Sequence, residues 1–165
     1  MLAIIIPYYK INFLRETLES LANQTDKRFK VYIGDDASLD DPLTLLEIYV
    51  SKFDFSYYKF SENLGASSLV KQWERCIKLS SNEKWIMILG DDDVLENNCI
   101  ATFYENLNEI EKLKITTVRF ASKVINSKGE FLSENYFHPR IESSSNFLMR
   151  KLKGGTRSSL SEYIF

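Results

Sequence analysis

The sequence predicts an α/β domain, a mostly parallel central sheet flanked by helices, and three observations carry that expectation. Residues 1–114 alternate short β-like runs with apolar residues at helical spacing, the pattern of strands joined by crossover helices. Two of the runs, Leu2–Ile6 and Trp85–Leu89, are apolar without interruption, as strands covered on both faces must be. The chain has 165 residues, 44% hydrophobic and 27% charged. A chain of that size can bury roughly 70% of its unfolded surface in one core, so a single domain spanning residues 1–165 is expected.

Leu2–Ile6 is read as the first strand. A helix follows from about residue 12 to residue 24, with Leu14, Leu18 and Leu21 on one face and Asn12 as its N-cap. The second strand is Phe29–Gly34. Asp41-Pro42 then opens a helix whose apolar face is expected to be Leu43, Leu46, Val50 and Phe53. After a third strand at Phe55–Phe60, a helix from Gly65 to Ser80 carries Leu69, Val70, Trp73, Cys76 and Ile77 as one stripe. Trp85–Leu89, the fourth strand, is expected to be central. The helix from Glu96 to Leu113 buries Ile100, Phe103, Tyr104, Leu107 and Ile110. Beyond it, Thr117–Ile125 and Phe131–Phe137 flank the turn Asn126-Ser127-Lys128-Gly129, which predicts a β-hairpin appended to the α/β core. A short helix near Asn146–Leu152, a Gly154-Gly155 break and a final run Ser159–Phe165 complete the chain.

A net charge of −2 gives no electrostatic footprint for nucleic acid. Cys76 and Cys99 have no Cys or His at metal-ligand spacing and read as reduced core thiols of a cytoplasmic protein. The apolar run at the start is cut by Pro7 and reads neither as a signal peptide nor as a membrane span. Trp73 and Trp85 read as core residues, and His138, the only histidine, as a surface or hydrogen-bonding residue. The basic run Arg150, Lys151 and Lys153, with Arg157 beyond it, suits either an anionic partner or membrane surface or a solvated helix face.

The acids are distributed unevenly. Seven of the nine aspartates fall in two clusters, Asp35, Asp36, Asp40 and Asp41 after the second strand and Asp91, Asp92 and Asp93 after the fourth. Carboxyl ends of parallel strands line the ligand crevice of an open sheet, so both clusters are expected to face one site. Converging carboxylates repel unless something positive sits between them, and a hard divalent cation, Mn²⁺ or Mg²⁺, is the natural occupant. Taken singly, Asp40, Asp41 and Asp93 are also plausible as turn or cap residues.

The segments "IIIPYYK…LRETLESLANQT", "VYIGDDASLDD", "NLGAS" and "WIMILGDDDVL" resemble, in order and spacing, family 2 glycosyltransferases of the Rossmann-like GT-A fold. The resemblance is strongest over Leu2–Leu95 and corresponds to the half that binds the sugar nucleotide. It implies that residues 1–114 form the donor-nucleotide core and 115–165 the start of an acceptor side. It places Pro7, Tyr8 and Tyr9 at the nucleoside, Asp36 or Asp35 at the base, Asp91 near the ribose or the metal's water shell, and Asp92 with Asp93 at the metal. The family's D-x-D element falls on Gly90-Asp91-Asp92, with Gly in place of its first Asp. The family's Gly and Thr after the second-strand acids are Ala37 and Leu39. An Arg common in the helix after Gly65 is Val70, beside which Lys71 is a candidate for the diphosphate or simply an exposed lysine.

The implied activity is inverting transfer from a nucleoside diphosphate sugar, UDP-linked in the favoured case, to a saccharide or lipid-linked acceptor in polysaccharide or glycoconjugate synthesis. It is expected in the cytoplasm or at the inner membrane face, with peripheral membrane contact through sequence further downstream. No Asp follows Asp93, and none of the later glutamates, among them Glu130, Glu134, Glu142 and Glu162, matches the family's catalytic base. The expectation is therefore a C-terminally truncated chain without its base. Two readings remain beside it: a non-catalytic sugar-nucleotide-binding module, and a Mg²⁺-dependent receiver-type domain, which would want a Lys at a later strand end.

Overall fold

The computed structural model describes residues 1–165. One six-stranded sheet is built from β1 (Leu2–Tyr8), β2 (Phe29–Asp35), β3 (Asp54–Lys59), β4 (Trp85–Ile88), β5 (Val118–Arg119) and β6 (Tyr163–Ile164) in the order β3-β2-β1-β4-β6-β5. The first four strands are mutually parallel, while β6 lies antiparallel to both β4 and β5. As their unbroken apolar character predicts, β1 and β4 take the two central positions.

Alternation along β1 divides the core. Leu2, Ile4, Ile6 and Tyr8 join the larger cluster with α1 (Leu14–Ala22), α2 (Leu43–Glu47) and α4 (Cys99–Lys112). Ala3 and Ile5 face the other way, toward α3 (Leu69–Ile77), in a smaller cluster with Tyr32, Cys76 and Ile88. Each fully buried Ile or Leu here contributes about 1.5–3 kcal/mol, so the central strand is the main apolar anchor.

Several local expectations are corrected. Asn12 does not cap α1; Phe13 occupies the cap position without a side-chain bond, and the backbone of Ile11 accepts from the Leu14 amide instead. The second helix is only five residues long and buries Leu45 and Leu46; Tyr49, in the turn after it, is also buried, whereas Leu43 and Val50 are exposed. Tyr49 wins that face because its ring packs against Phe53 while its hydroxyl reaches Glu19 on α1 at 3.2 Å. The helix after Gly65 begins only at Leu69, where the Ser68 hydroxyl accepts from the Lys71 amide. Its buried residues are Gln72 and Cys76, whereas Leu69 and Val70 are 59% and 67% exposed.

The Asn126–Gly129 turn forms, with Gly129 at a φ of 78° and its amide bonded to the Asn126 carbonyl. Its arms meet at two isolated bridges, Ser122 with Tyr136 and Ile125 with Phe131, and the regular strand from this region, β5, pairs with β6 instead. The last run turns through a 3₁₀ turn, Leu160–Glu162, into β6, whose Ile164 is fully buried beside Met87. α5 (Ser144–Leu152) is capped by the Ser143 hydroxyl, which accepts from the Asn146 amide.

Both cysteines are free and buried, and burial pushes each thiol up to about 12. The unfolded chain would therefore ionise them first, and their contribution to stability is lost as pH rises from about 8.5 toward the folded value. Native protein at neutral pH should leave both thiols unmodified by iodoacetamide, and urea-unfolded protein should alkylate both; rapid labelling of either in the native state would contradict this packing.

Candidate functional site

The carboxyl ends of β1, β2 and β4 lie together. The Asp36 amide donates to the Tyr8 carbonyl at 2.9 Å and the Leu89 amide to the Ile5 carbonyl at 2.9 Å, so both acidic segments leave the sheet at the same edge. Between them is a cavity of about 300 Å³. Pro7, Tyr8 and Tyr9 line it at the end of β1, Asp36 just after β2, and Leu69, Gln72 and Trp73 from α3. Ile88, Gly90, Asp91 and Asp93 border it from the fourth strand's end, and Ser159, Leu160 and Ser161 close it from the chain's last segment.

Of the expected site residues, the structure brings Pro7, Tyr8, Tyr9, Asp36, Asp91 and Asp93 to this one cavity. Asp35, Lys71 and Asp92 do not line it. Asp35 is wholly buried; its carboxylate accepts from the Ser38 amide at 2.7 Å and the Tyr57 hydroxyl at 2.6 Å, with Lys59 Nζ at 3.8 Å. Burial and this carboxylate together raise the Tyr57 hydroxyl well above the usual phenol range. Lys71 is exposed on α3, and Asp92 is exposed on its turn.

Each carboxylate at the cavity already has donors. Asp36 accepts from the amides of Leu64 at 2.8 Å and Gly65 at 2.9 Å, and pairs with Arg75. Arg75 also donates to the Glu62 carbonyl at 2.8 Å and lies 3.9 Å from the Phe60 ring centre. Asp91 accepts from the amides of Tyr9 at 2.8 Å and Lys10 at 3.1 Å, which ties the end of the fourth strand to the end of the first. The Ser161 hydroxyl accepts from the Gly90 amide at 3.1 Å and donates to Asp93. Repulsion between these carboxylates is thus relieved largely by internal donors, and although three of them line the cavity, no group of three or more His, Cys, Asp or Glu is placed to hold a metal ion.

At two glycines of the site a side chain would crowd the carboxylates. A Cβ on Gly65 would stand 2.5 Å from Asp36 Oδ2. One on Gly90 would stand 2.8 Å from Asp93 Oδ2 and 2.9 Å from Asp92 Oδ1, so the absence of a side chain at 90 lets two carboxylates gather over one point. Ala37 keeps a left-handed backbone, φ 56°, at the position where the resembling motif has Gly. The turn therefore holds its shape at a cost of about 1–2 kcal/mol.

Sequence reasoning missed Gln72, Arg75, Trp73 and the 159–161 turn. Arg75 lies ten residues beyond Gly65, and no motif marks it; Trp73 does pack half-buried against the smaller core cluster, but it also forms part of the cavity wall. His138 is not a surface residue. Its side chain is 8% exposed, neither ring nitrogen has a hydrogen-bond partner although Glu162 stands 3.9 Å from Nε2, and burial, then Arg119, lowers its pKa. It lines a second cavity of about 690 Å³ beside the end of α4, β5 and Phe147.

The sequence model of glycosyl transferase family 2 matches residues 3–159. The chain belongs to this family. Its fold is of the GT-A type: residues superpose on S. aureus TarS 1–349 in complex with UDP-GlcNAc with a TM-score of 0.74 over 99% of this chain and 44% of that one, at 20% identity. TarS 1–349 in complex with UDP matches with a TM-score of 0.60 at 25% identity over 67% of this chain and 32% of that one. Among curated relatives, glycosyltransferase GlyG of Streptococcus pneumoniae is 24% identical over 110 residues, 66% of this chain and 36% of GlyG. The uncharacterized glycosyltransferase RP339 of Rickettsia prowazekii is 26% identical over 171 aligned positions, 100% of this chain and 51% of RP339. The chain thus spans about half or less of the length of these relatives.

The Asp36–Arg75 clamp predicts a measurable structural cost. Arg75→Ala leaves a buried carboxylate with amide donors only and should lower stability to urea by about 1–3 kcal/mol. Gly65→Ala, which forces Asp36 off the 64–65 amides, should also destabilise. A change below about 0.5 kcal/mol for both would show that the clamp does not hold the turn.

Proposed function

We propose that this domain binds a nucleoside diphosphate sugar in the 300 Å³ cavity and takes part in transferring the sugar, with inversion, to a hydroxyl of a saccharide or lipid-linked acceptor. The observation that carries this reading is the convergence of Pro7, Tyr8, Tyr9, Asp36, Asp91 and Asp93 on one cavity at the strand ends of a family 2 chain. UDP is the favoured nucleotide, supported by TarS, whose structures hold UDP and UDP-GlcNAc. Residues 1–114 supply most of the donor core, and 115–165 begin the acceptor side. Synthesis of a polysaccharide or glycoconjugate at the cytoplasmic membrane face is the setting that fits such a reaction.

In this reading the nucleoside lies against Pro7, Tyr8 and Tyr9, and the diphosphate points toward the Asp91–Asp93 turn. Asp36 acts through the backbone it holds: its oxygens fix the 64–65 turn and Arg75, which form the wall on the α3 side. Asp91 orients the Tyr9 and Lys10 amides. Asp92 and Asp93, whose oxygens gather over Gly90, suit a hard Mn²⁺ or Mg²⁺ ion that uses one or two carboxylates and leaves room for phosphate oxygens. When bound, such an ion would neutralise the charge that develops on the departing diphosphate.

The base that takes the acceptor proton is not assigned to a residue of this chain. Glu162, the acid next in sequence to the cavity, is paired with Arg119 at 2.9 Å and accepts from the Ser122 hydroxyl at 2.7 Å. Without a base the transfer step typically forfeits ~10²–10⁴-fold in rate.

Calorimetry with UDP, with and without Mn²⁺, tests the reading. Binding should strengthen with metal, and Asp92→Asn should remove most of that gain while leaving uridine binding unchanged. Equal UDP affinity in excess chelator would exclude the metal role, and no UDP binding at all would exclude the donor site.

A further inference from the structure

We propose that α5 is a peripheral membrane-docking helix that lies on an anionic lipid surface. The helix is amphipathic in an inverted sense. Phe147 and Arg150 face the protein: Phe147 borders the larger cavity beneath Arg119, and Arg150 pairs with Glu142 at 2.7 Å. No residue of the helix is fully buried, and Leu148, Met149 and Leu152 are 54%, 52% and 73% exposed. At about 100° per residue these three share one outward arc of roughly 100°. Lys151 and Lys153 fall on its two sides, both exposed and neither in an ion pair.

Charge decides the occupant. From Ser143 through Ser161 there is no acidic residue, while Arg150, Lys151, Lys153 and Arg157 are basic. With Arg150 neutralised by Glu142, the positive charge left over belongs to the outward lysines and the exposed Arg157. A purely polyanionic partner would have no use for three apolar side chains set between the lysines. An anionic bilayer uses both: apolar side chains enter the headgroup and acyl boundary while flanking lysines extend to the phosphates. No helix of this chain is long and apolar enough to cross a membrane, so the contact would be a surface one. The assignment is independent of the donor reading.

Vesicle sedimentation without nucleotide tests it and leaves the donor site unprobed, so either proposal can fail alone. The protein should partition onto equimolar phosphatidylglycerol–phosphatidylcholine vesicles, at least tenfold less onto phosphatidylcholine alone, and less in high salt. Lys151→Gln with Lys153→Gln should weaken partition roughly 25-fold, about fivefold per lysine. Leu148→Ser with Leu152→Ser should weaken it at least tenfold. These positions are exposed, and unchanged circular dichroism would confirm that the fold is kept. In a Met149→Cys variant the new thiol should react with a water-soluble maleimide in buffer and be protected by the anionic vesicles. Failure to partition, equal partition onto neutral lipid, or no effect of either double substitution would overturn the proposal. Protection of the thiol without vesicles would also overturn it, because a second copy or another part of the protein would then cover the face.

Discussion

A charged group buried at a strand end has to be answered by the chain around it, and here the Asp36 carboxylate imposes that constraint. It is almost wholly withdrawn from solvent, and an unpaired carboxylate in such a place would cost several kcal/mol. Its partners come from separate parts of the sequence: two amides of the turn before α3 and the guanidinium of Arg75 on α3 itself. Satisfying one carboxylate therefore fixes how the chain returns from β3, where α3 starts and which face it turns to the sheet. Gly34 completes the arrangement, since a Cβ there would stand 2.4 Å from Cys76 Sγ and hold the helix away.

The same economy recurs around the cavity. Asp91 is spent on the backbone of Tyr9 and Lys10, and Asp93 on Ser161, so the carboxylates that look from sequence like a loose anionic cluster act first as struts. They join the ends of β1, β2 and β4 to the last segment of the chain and leave a preformed pocket between them. Preorganisation of this kind suits a site that holds a diphosphate leaving group, because the supporting groups need not rearrange when charge develops. Asp92 is the acid of this turn that remains exposed, and its Oδ1, like Oδ2 of Asp93, lies close to where a Cβ on Gly90 would stand.

The sheet was legible because burial on both faces leaves an unmistakable trace: Leu2–Ile6 and Trp85–Leu89 could hardly be anything but central strands. The acidic strand ends were legible for a similar reason, since topology alone brings them to one edge. Helix faces were read less well wherever a polar contact overrides the apolar stripe. On α3, Gln72 donates to the Gly34 carbonyl and Arg75 reaches Asp36, and these turn Leu69 and Val70 outward. Just beyond α2, the hydroxyl of Tyr49 has a partner on α1 that no local pattern announces. The closing role of Ser159–Ser161 depends on β6 inserting antiparallel beside β4 from some 75 residues away, a long-range pairing without a local signature. His138 is not placed by local reading because a lone histidine before proline gives no hint that its side chain will be buried near Arg119 and Glu162.

The central claim is that internally satisfied carboxylates build the nucleotide site at the ends of β1 and β4. A crystal structure of this chain with UDP and Mn²⁺ tests it most directly. The account predicts the uridine against Pro7, Tyr8 and Tyr9, the diphosphate toward Asp91–Asp93, and Asp36 still bonded to the 64–65 amides and Arg75. UDP seated in the larger cavity beside His138, or an Asp36 carboxylate released from its turn to meet the ligand, would contradict it.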